Sequence, residues 1–145
     1  MIKSCDLILV EDNTSDAELA IRILHKIGLG EKLLHLEDGE ALLEYVFGTG
    51  RYSGRNTAEN PKLIIMDLKM PKVSGLEALQ QIRQKATTRY IPVVLLTSSQ
   101  EENDLRSAYA LGVNSFVVKP LEFGDYVKVV SSISNYWLLI NQHCI

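Results

Sequence analysis

The chain has 145 residues, 46% of them hydrophobic and 23% charged, with a formal net charge of −3. A chain of that length and composition folds as one globular domain and buries roughly two-thirds of the surface its unfolded form would expose. Disorder is excluded, and with no long run of either charge there is no sign of the basic face that a dedicated nucleic-acid surface carries. The two cysteines, Cys5 and Cys144, are too few for a disulfide scaffold and too far apart in sequence for a zinc motif, so they read as free thiols in a reducing compartment. The opening "MIKSCDLILVEDN" has an apolar run of only four residues before two acids, which is no signal peptide. No segment approaches the roughly 20 apolar residues that span a bilayer, and the chain is expected in the cytoplasm.

Taken in order, the first apolar run is "LILV" at 7–10, without polar alternation, as suits a parallel strand covered on both faces. Residues 14–27 follow at helical period, with Ala17, Ala20, Ile21, Leu24 and Ile27 on one face and Gly28 and Gly30 ending the helix. "LLHL" at 33–36 reads as an edge strand. Asp38 is placed to cap a short second helix carrying Leu42, Tyr45 and Val46. "GTGRYSGRNTAENPK" (48–62) has three glycines and no periodicity and is longer than a usual helix-to-strand connection. It is expected to be a mobile surface loop, with a partner-docking element as the alternative.

"LIIM" at 63–66 is the third strand, and a helix from about Ser74 to Lys85 turns Leu76, Leu79 and Ile82 inward. "VVLL" at 93–96 precedes a helix over about Glu101–Leu111, with Leu105, Ala108 and Leu111 inward and Gly112 at its end. "SFVV" at 115–118 is the last strand, and the last helix runs from about Glu122 to Ile140. Strand–helix alternation through the whole length predicts an α/β fold: a doubly wound, five-stranded parallel sheet with five helices, one domain over 1–145 and no output domain.

In such a sheet, ligands bind outside the carboxyl ends of the strands. "LILVEDN" ends there in Glu11 and Asp12, "LIIMD" in Asp67, "VVLLTSS" in Thr97 and "FVVKP" in Lys119. Each has an ordinary explanation alone: an acid after a strand often caps a helix, a threonine turns the chain, a lysine sits at the surface. Together they crowd three carboxylates. Two unit charges about 4 Å apart repel by roughly 4 kcal/mol at an effective dielectric of 20, and one lysine cannot offset three acids. A divalent cation can, and an all-oxygen site with room for water suits Mg²⁺. A carboxylate beside Mg²⁺, a lysine and a hydroxyl can hold a phosphoryl group, because phosphoryl transfer depends on positioning and charge neutralisation more than on covalent machinery. Asp67 is then the nucleophile, Mg²⁺ and Lys119 balance its oxygens, and Thr97 donates a hydrogen bond.

"EDN", "MDLKMPKVSG", "LLTSS" and "FVVKP", at these intervals, resemble the receiver domain of bacterial two-component response regulators over essentially the whole chain. The resemblance implies the strand order 2-1-3-4-5, an acidic pair of metal ligands in Glu11 and Asp12, and Asp67 as phosphoacceptor. It also implies the backbone carbonyl of Lys69 as a further Mg²⁺ ligand, Thr97 and Lys119 as phosphate contacts, Phe116 as the switch aromatic and a cis Lys119–Pro120 bond. On phosphorylation Thr97 would move toward the phosphoryl oxygens and Phe116 would follow, repacking the surface of the fourth helix, fifth strand and fifth helix. Phe116 lacks a tyrosine's hydroxyl, so its switching rests on packing. Lys69 is expected to pair with an acid when the site is empty or to cover the phosphoryl group when it is full. Ser98, larger than the alanine often found there, is expected to narrow access for water. The long loop and the ending "NYWLLI" resemble the single-domain regulators paired with phytochrome histidine kinases, which implies a light-sensing kinase as partner.

The last helix carries Tyr126, Val130, Ile133, Trp137 and Ile140 on one stripe and further apolar residues elsewhere. The surplus suggests a homodimer through the fourth helix, fifth strand and fifth helix, with Tyr126, Tyr136, Trp137 and Leu138 as candidate surface. His25, His35 and His143 are widely spaced and suggest no metal site, and His25 is expected to face solvent. Three alternatives stay open. A haloacid-dehalogenase-type phosphatase would need a general acid where Lys69 stands. A receiver-fold module could bind partners without phosphate. A flavodoxin-like cofactor binder would need hydroxyls and free amides in the first loop, where there are acids.

Overall fold

The computed structural model describes residues 5–144, so the first four residues of the opening segment, over which no leader is expected, lie outside it. Five strands, β1 (Leu7–Val10), β2 (Leu33–Leu36), β3 (Leu63–Met66), β4 (Val93–Thr97) and β5 (Ser115–Val118), pair in parallel in the order β2-β1-β3-β4-β5. The helices are α1 (Thr14–Lys26), α2 (Gly39–Phe47), α3 (Gly75–Gln84), α4 (Glu102–Ala110) and α5 (Phe123–Asn135). The unalternated strand runs fill both faces of the sheet. Leu7, Leu9, Leu63, Ile65, Val94 and Leu96 pack under α1 and α5, while Ile8, Val10, Ile64, Met66, Val93 and Leu95 pack under α2 and α3. Each such side chain, fully buried, contributes roughly 1.5–3 kcal/mol. Among the described residues no helix is long and apolar enough to cross a membrane.

The caps that begin the helices also fix the loops at the carboxyl edge of the sheet. The Asn13 side chain accepts from the Asp16 N–H at 3.0 Å, Asp38 from Ala41 at 2.8 Å and Ser74 from Glu77 at 3.2 Å. Gly75 is required by close approach: a Cβ there would stand 2.5 Å from the Asp67 carbonyl oxygen.

Four expectations change. Loop 48–62 is not a loose excursion, because the Arg55 guanidinium is buried within it. Its N–H groups donate to the carbonyls of Tyr45 (2.5 Å), Val46 (3.0 Å), Asn56 (3.2 Å) and Glu59 (2.7 Å), and it lies 4.5 Å from the centre of the Tyr45 ring. The inward face of α4 is narrower than expected: Ala108 is buried, but Leu105 is exposed.

The last helix changes winding, and Tyr136–Ile140 form a π-helical turn in which the Asn141 N–H reaches the Tyr136 carbonyl at 2.7 Å. Tyr126, Val130, Ser134 and Leu138, four apart, are buried; Ile133 and Trp137 of the expected stripe pack half-buried against the same core, while Ile140 faces solvent. Tyr126 and Leu138 are core residues and not available as dimer surface. Tyr136 is exposed and Trp137 half-buried. Lastly, among the described residues no peptide bond is cis, so Lys119–Pro120 is trans. Trans is the intrinsically favoured isomer, and Lys119 reaches the acids from it.

The two cysteines, far apart in sequence, both line one cavity of about 640 Å³ at the amino edge of the sheet. Both thiols are free, that of Cys5 donating to the Tyr45 hydroxyl at 3.2 Å.

Candidate functional site

Parallel pairing of β1 with β3 brings Val10 beside Met66, so the residues that follow them, Glu11 and Asp67, leave the sheet side by side. Lys119 arrives from the end of β5, its N–H tied to the Thr97 carbonyl at 2.8 Å. Its ammonium donates to Glu11 Oε1 at 2.5 Å, Asp16 Oδ2 at 2.9 Å and Asp67 Oδ2 at 3.1 Å. The other Asp67 oxygen accepts from the Leu68 N–H at 2.6 Å. Glu11 Oε2 accepts from the Asn13 N–H at 3.2 Å, and His35 Nε2 lies 2.9 Å from the Glu11 carbonyl oxygen.

Burial and charge set the protonation of this cluster. Burial alone would push the Lys119 ammonium down, but the hydrogen bonds it donates to Glu11 and Asp16 and the charge of Asp67 outweigh it, so Lys119 stays charged. Burial pushes the Glu11 carboxyl up, and its share of one ammonium divided among three acids does not bring it back. The site is short of positive charge.

Three of the five strand-end residues, Glu11, Asp67 and Lys119, converge. Asp12 stands exposed at the rim, and Thr97 is buried at the end of the neighbouring strand, its hydroxyl accepting from the Ser99 N–H at 3.2 Å. Phe116, opposite Leu95 in the β4–β5 register, is half-buried against the core. Lys69 is exposed and, among the described residues, forms no ion pair, contrary to its expected resting partner. The lysine of that loop that does pair is Lys72, in left-handed backbone (φ 66°), with Asp38 at 3.7 Å and Glu40 at 3.8 Å. Asp16 escaped the sequence reading. Its only signal is its place on the first turn of α1, three residues after the Asn13 cap, close in sequence to Glu11 and Asp12.

Among the described residues no three acidic, histidine or cysteine side chains form a ready metal cage, because the Lys119 ammonium stands between the carboxylates. The donors nevertheless fit a hard divalent cation. They are all oxygen, Lys119 already fills the place of a cation between two of them, and Glu11 lacks full compensation. Asp12 at the rim adds a third carboxylate with room for water.

The response regulator receiver domain family matches residues 7–131. A probable methanogenesis regulatory protein, FilR2, of Methanothrix harundinacea is 40% identical over 132 residues, spanning 91% of this chain and 83% of that protein. Response regulator Rcp1 of Synechocystis is 35% identical over 132 residues, spanning 91% and 88%. The crystal structure of its Mn(2+)-bound form superposes with a TM-score of 0.87 at 33% identity, over 96% of this chain and 98% of that one. The phosphorylated cyanobacterial phytochrome response regulator RcpA superposes with a TM-score of 0.89 at 29% identity, over 99% and 100%.

Proposed function

The chain belongs to the response regulator receiver family, and from that premise we propose that it is a stand-alone response regulator that accepts a phosphoryl group on Asp67 from a histidine kinase. The observation that carries this reading is the Asp67 carboxylate itself. It is held by the Leu68 N–H on one oxygen and by the Lys119 ammonium on the other, beside a second buried acid. As the phosphorus–nitrogen bond of the donor phosphohistidine breaks, a bond forms between phosphorus and an Asp67 oxygen, and the leaving imidazole takes up a proton. The Leu68 N–H fixes the carboxylate, so the oxygen on the Lys119 side is the one presented. Lys119 and Thr97 hold the transferred oxygens.

Glu11, Asp12, Asp67 and the Lys69 carbonyl would hold Mg²⁺, which when bound neutralises the charge on the transferred group. Lys69, exposed and without an ion pair among the described residues, would cover that group, and the protein releases it by self-hydrolysis, without turning over a substrate. Phosphorylation adds nearly two negative charges at neutral pH, which draws Thr97 inward and lets Phe116 follow. The readout is the α4–β5–α5 surface, where Leu105, Tyr109, Val118, Leu121 and Phe123 are exposed. That surface, continued by exposed Tyr136, Leu139 and Ile140, supports a homodimer. The likeness to RcpA, a phytochrome response regulator, supports a phytochrome-type kinase as the upstream partner.

The test is intact mass after incubation with acetyl phosphate, with and without Mg²⁺, beside Asp67→Asn. One added phosphoryl group, Mg²⁺-dependent and absent from the variant, is expected. No adduct, together with no beryllofluoride complex, would leave a receiver fold that binds partners without phosphate.

A further inference from the structure

An ammonium has three N–H donors, and Lys119 spends all three on carboxylates. Glu11 and Asp67 belong to the proposed metal ligands. Asp16 does not, and no residue pattern read from the sequence includes it. When Glu11 gives its oxygen to a divalent cation, Lys119 loses the shortest of its three bonds while its side chain is only 12% exposed. A buried ammonium left underpaired is costly. We propose that Asp16 is a positioning residue for metal and phosphoryl binding: its carboxylate is the seat that keeps Lys119 paired, and beside Asp67, once Glu11 turns to the cation.

The backbone is built to hold that seat still. The Asp16 N–H is bound by the Asn13 cap, and its carbonyl accepts from the Tyr126 hydroxyl of α5 at 3.4 Å. Asp16 is thus the residue at which the site's lysine and the output helix meet. At 37% side-chain exposure it remains reachable by water, so it can take up the ammonium without itself being stranded.

The inference rests on the metal site proposed above, and Mg²⁺ binding by calorimetry, in the absence of phosphodonor, separates the two. Wild-type protein that takes up no Mg²⁺ removes the metal reading and this inference with it. Wild-type binding with Asp16→Asn equally tight removes this inference alone. The expected result is Mg²⁺ binding about fivefold weaker in Asp16→Asn, the scale of one partly exposed charge pair. In a Lys119→Met background the same substitution should change binding less than about twofold, because its effect passes through Lys119. Glu18→Gln removes a carboxylate that lines the same acidic recess as Glu11 and Asp12 without bonding Lys119. An equal loss in that variant, or in the Lys119→Met background, would mean a general field effect and overturn the assignment. Asp16→Glu keeps the carboxylate and needs no change at Lys119. Recovery of wild-type affinity supports the seat, and affinity as weak as that of Asp16→Asn overturns it.

Discussion

Strands β3 and β5 flank the same neighbour, β4, yet they are packed very differently. Every residue of β3 is buried, while β5 has none fully buried and ends on exposed Val118. The helices repeat the contrast. α3 gives the core Gly75, Ala78, Leu79 and Ile82, whereas α4 gives it Ala108 alone. The proposed phosphoacceptor, Asp67, follows the fully buried strand, where close packing fixes a carboxylate to within a hydrogen bond. The proposed readout lies on the thinly packed side, where few buried contacts leave local free energy low enough to shift. The lesson is that one sheet can be rigid where chemistry needs placement and loose where a signal needs two arrangements.

The contrast is broken most severely by truncating one helix and then the other. Leu79→Ala on α3 should cost about 2–5 kcal/mol in denaturant unfolding, and Leu105→Ala on α4 no more than about 0.5 kcal/mol. Equal losses would mean that α4 is as firmly seated as α3. A smaller thermodynamic effect, with a larger change in assembly, is expected from Phe123→Ser combined with Leu139→Ser. Both residues are 66% exposed, so stability should hold within about 1 kcal/mol while sedimentation shifts to monomer. An unchanged mass, whether monomer or dimer, would remove the homodimer from this surface. Leu138 is unsuitable for that test, since a polar residue there would strike the core.

How much of this was legible follows the same division. The apolar runs announced all five strands, and the residues just after them announced Glu11, Asp67 and Lys119, which the fold brings together, because strand ends leave little freedom in where a side chain can go. Asp16 was not legible, since on paper it is one more acid in the first turn of a helix. Arg55 carried no signal within the 48–62 loop, and only the folded loop shows its guanidinium closing on backbone carbonyls. The end of α5 misled for a geometric reason. A 3.6-residue period puts Trp137 and Ile140 inward; Trp137 does pack against the core, but the π-turn turns Ile140 out to solvent and buries Leu138. The trans Lys119–Pro120 bond follows the intrinsic preference that the resemblance set aside.

The smallest expected effect is also the one that isolates the electrostatics of the rigid region. Burial raises the Glu11 carboxyl above its ordinary value, so the folded protein holds that proton more tightly than the unfolded chain. The folded state is therefore relatively penalised as pH rises from the unfolded value, about 4.3, through the raised one, and the penalty persists at neutral pH. Glu11→Gln removes the ionisable group but leaves Lys119 paired with Asp16 and Asp67. In metal-free buffer the variant should gain stability relative to wild type as pH rises across that window, then keep a constant advantage up to neutrality. Added Mg²⁺ should reverse the order, because only wild type retains the ligand whose charge a divalent cation compensates. Thermal unfolding at several pH values, with chelator and then with Mg²⁺, reads both halves. A variant that is less stable than wild type at neutral pH without metal would show that the Glu11–Lys119 bond outweighs the cost of burying the carboxylate, and the site would then be a structural ion pair that a cation has to break.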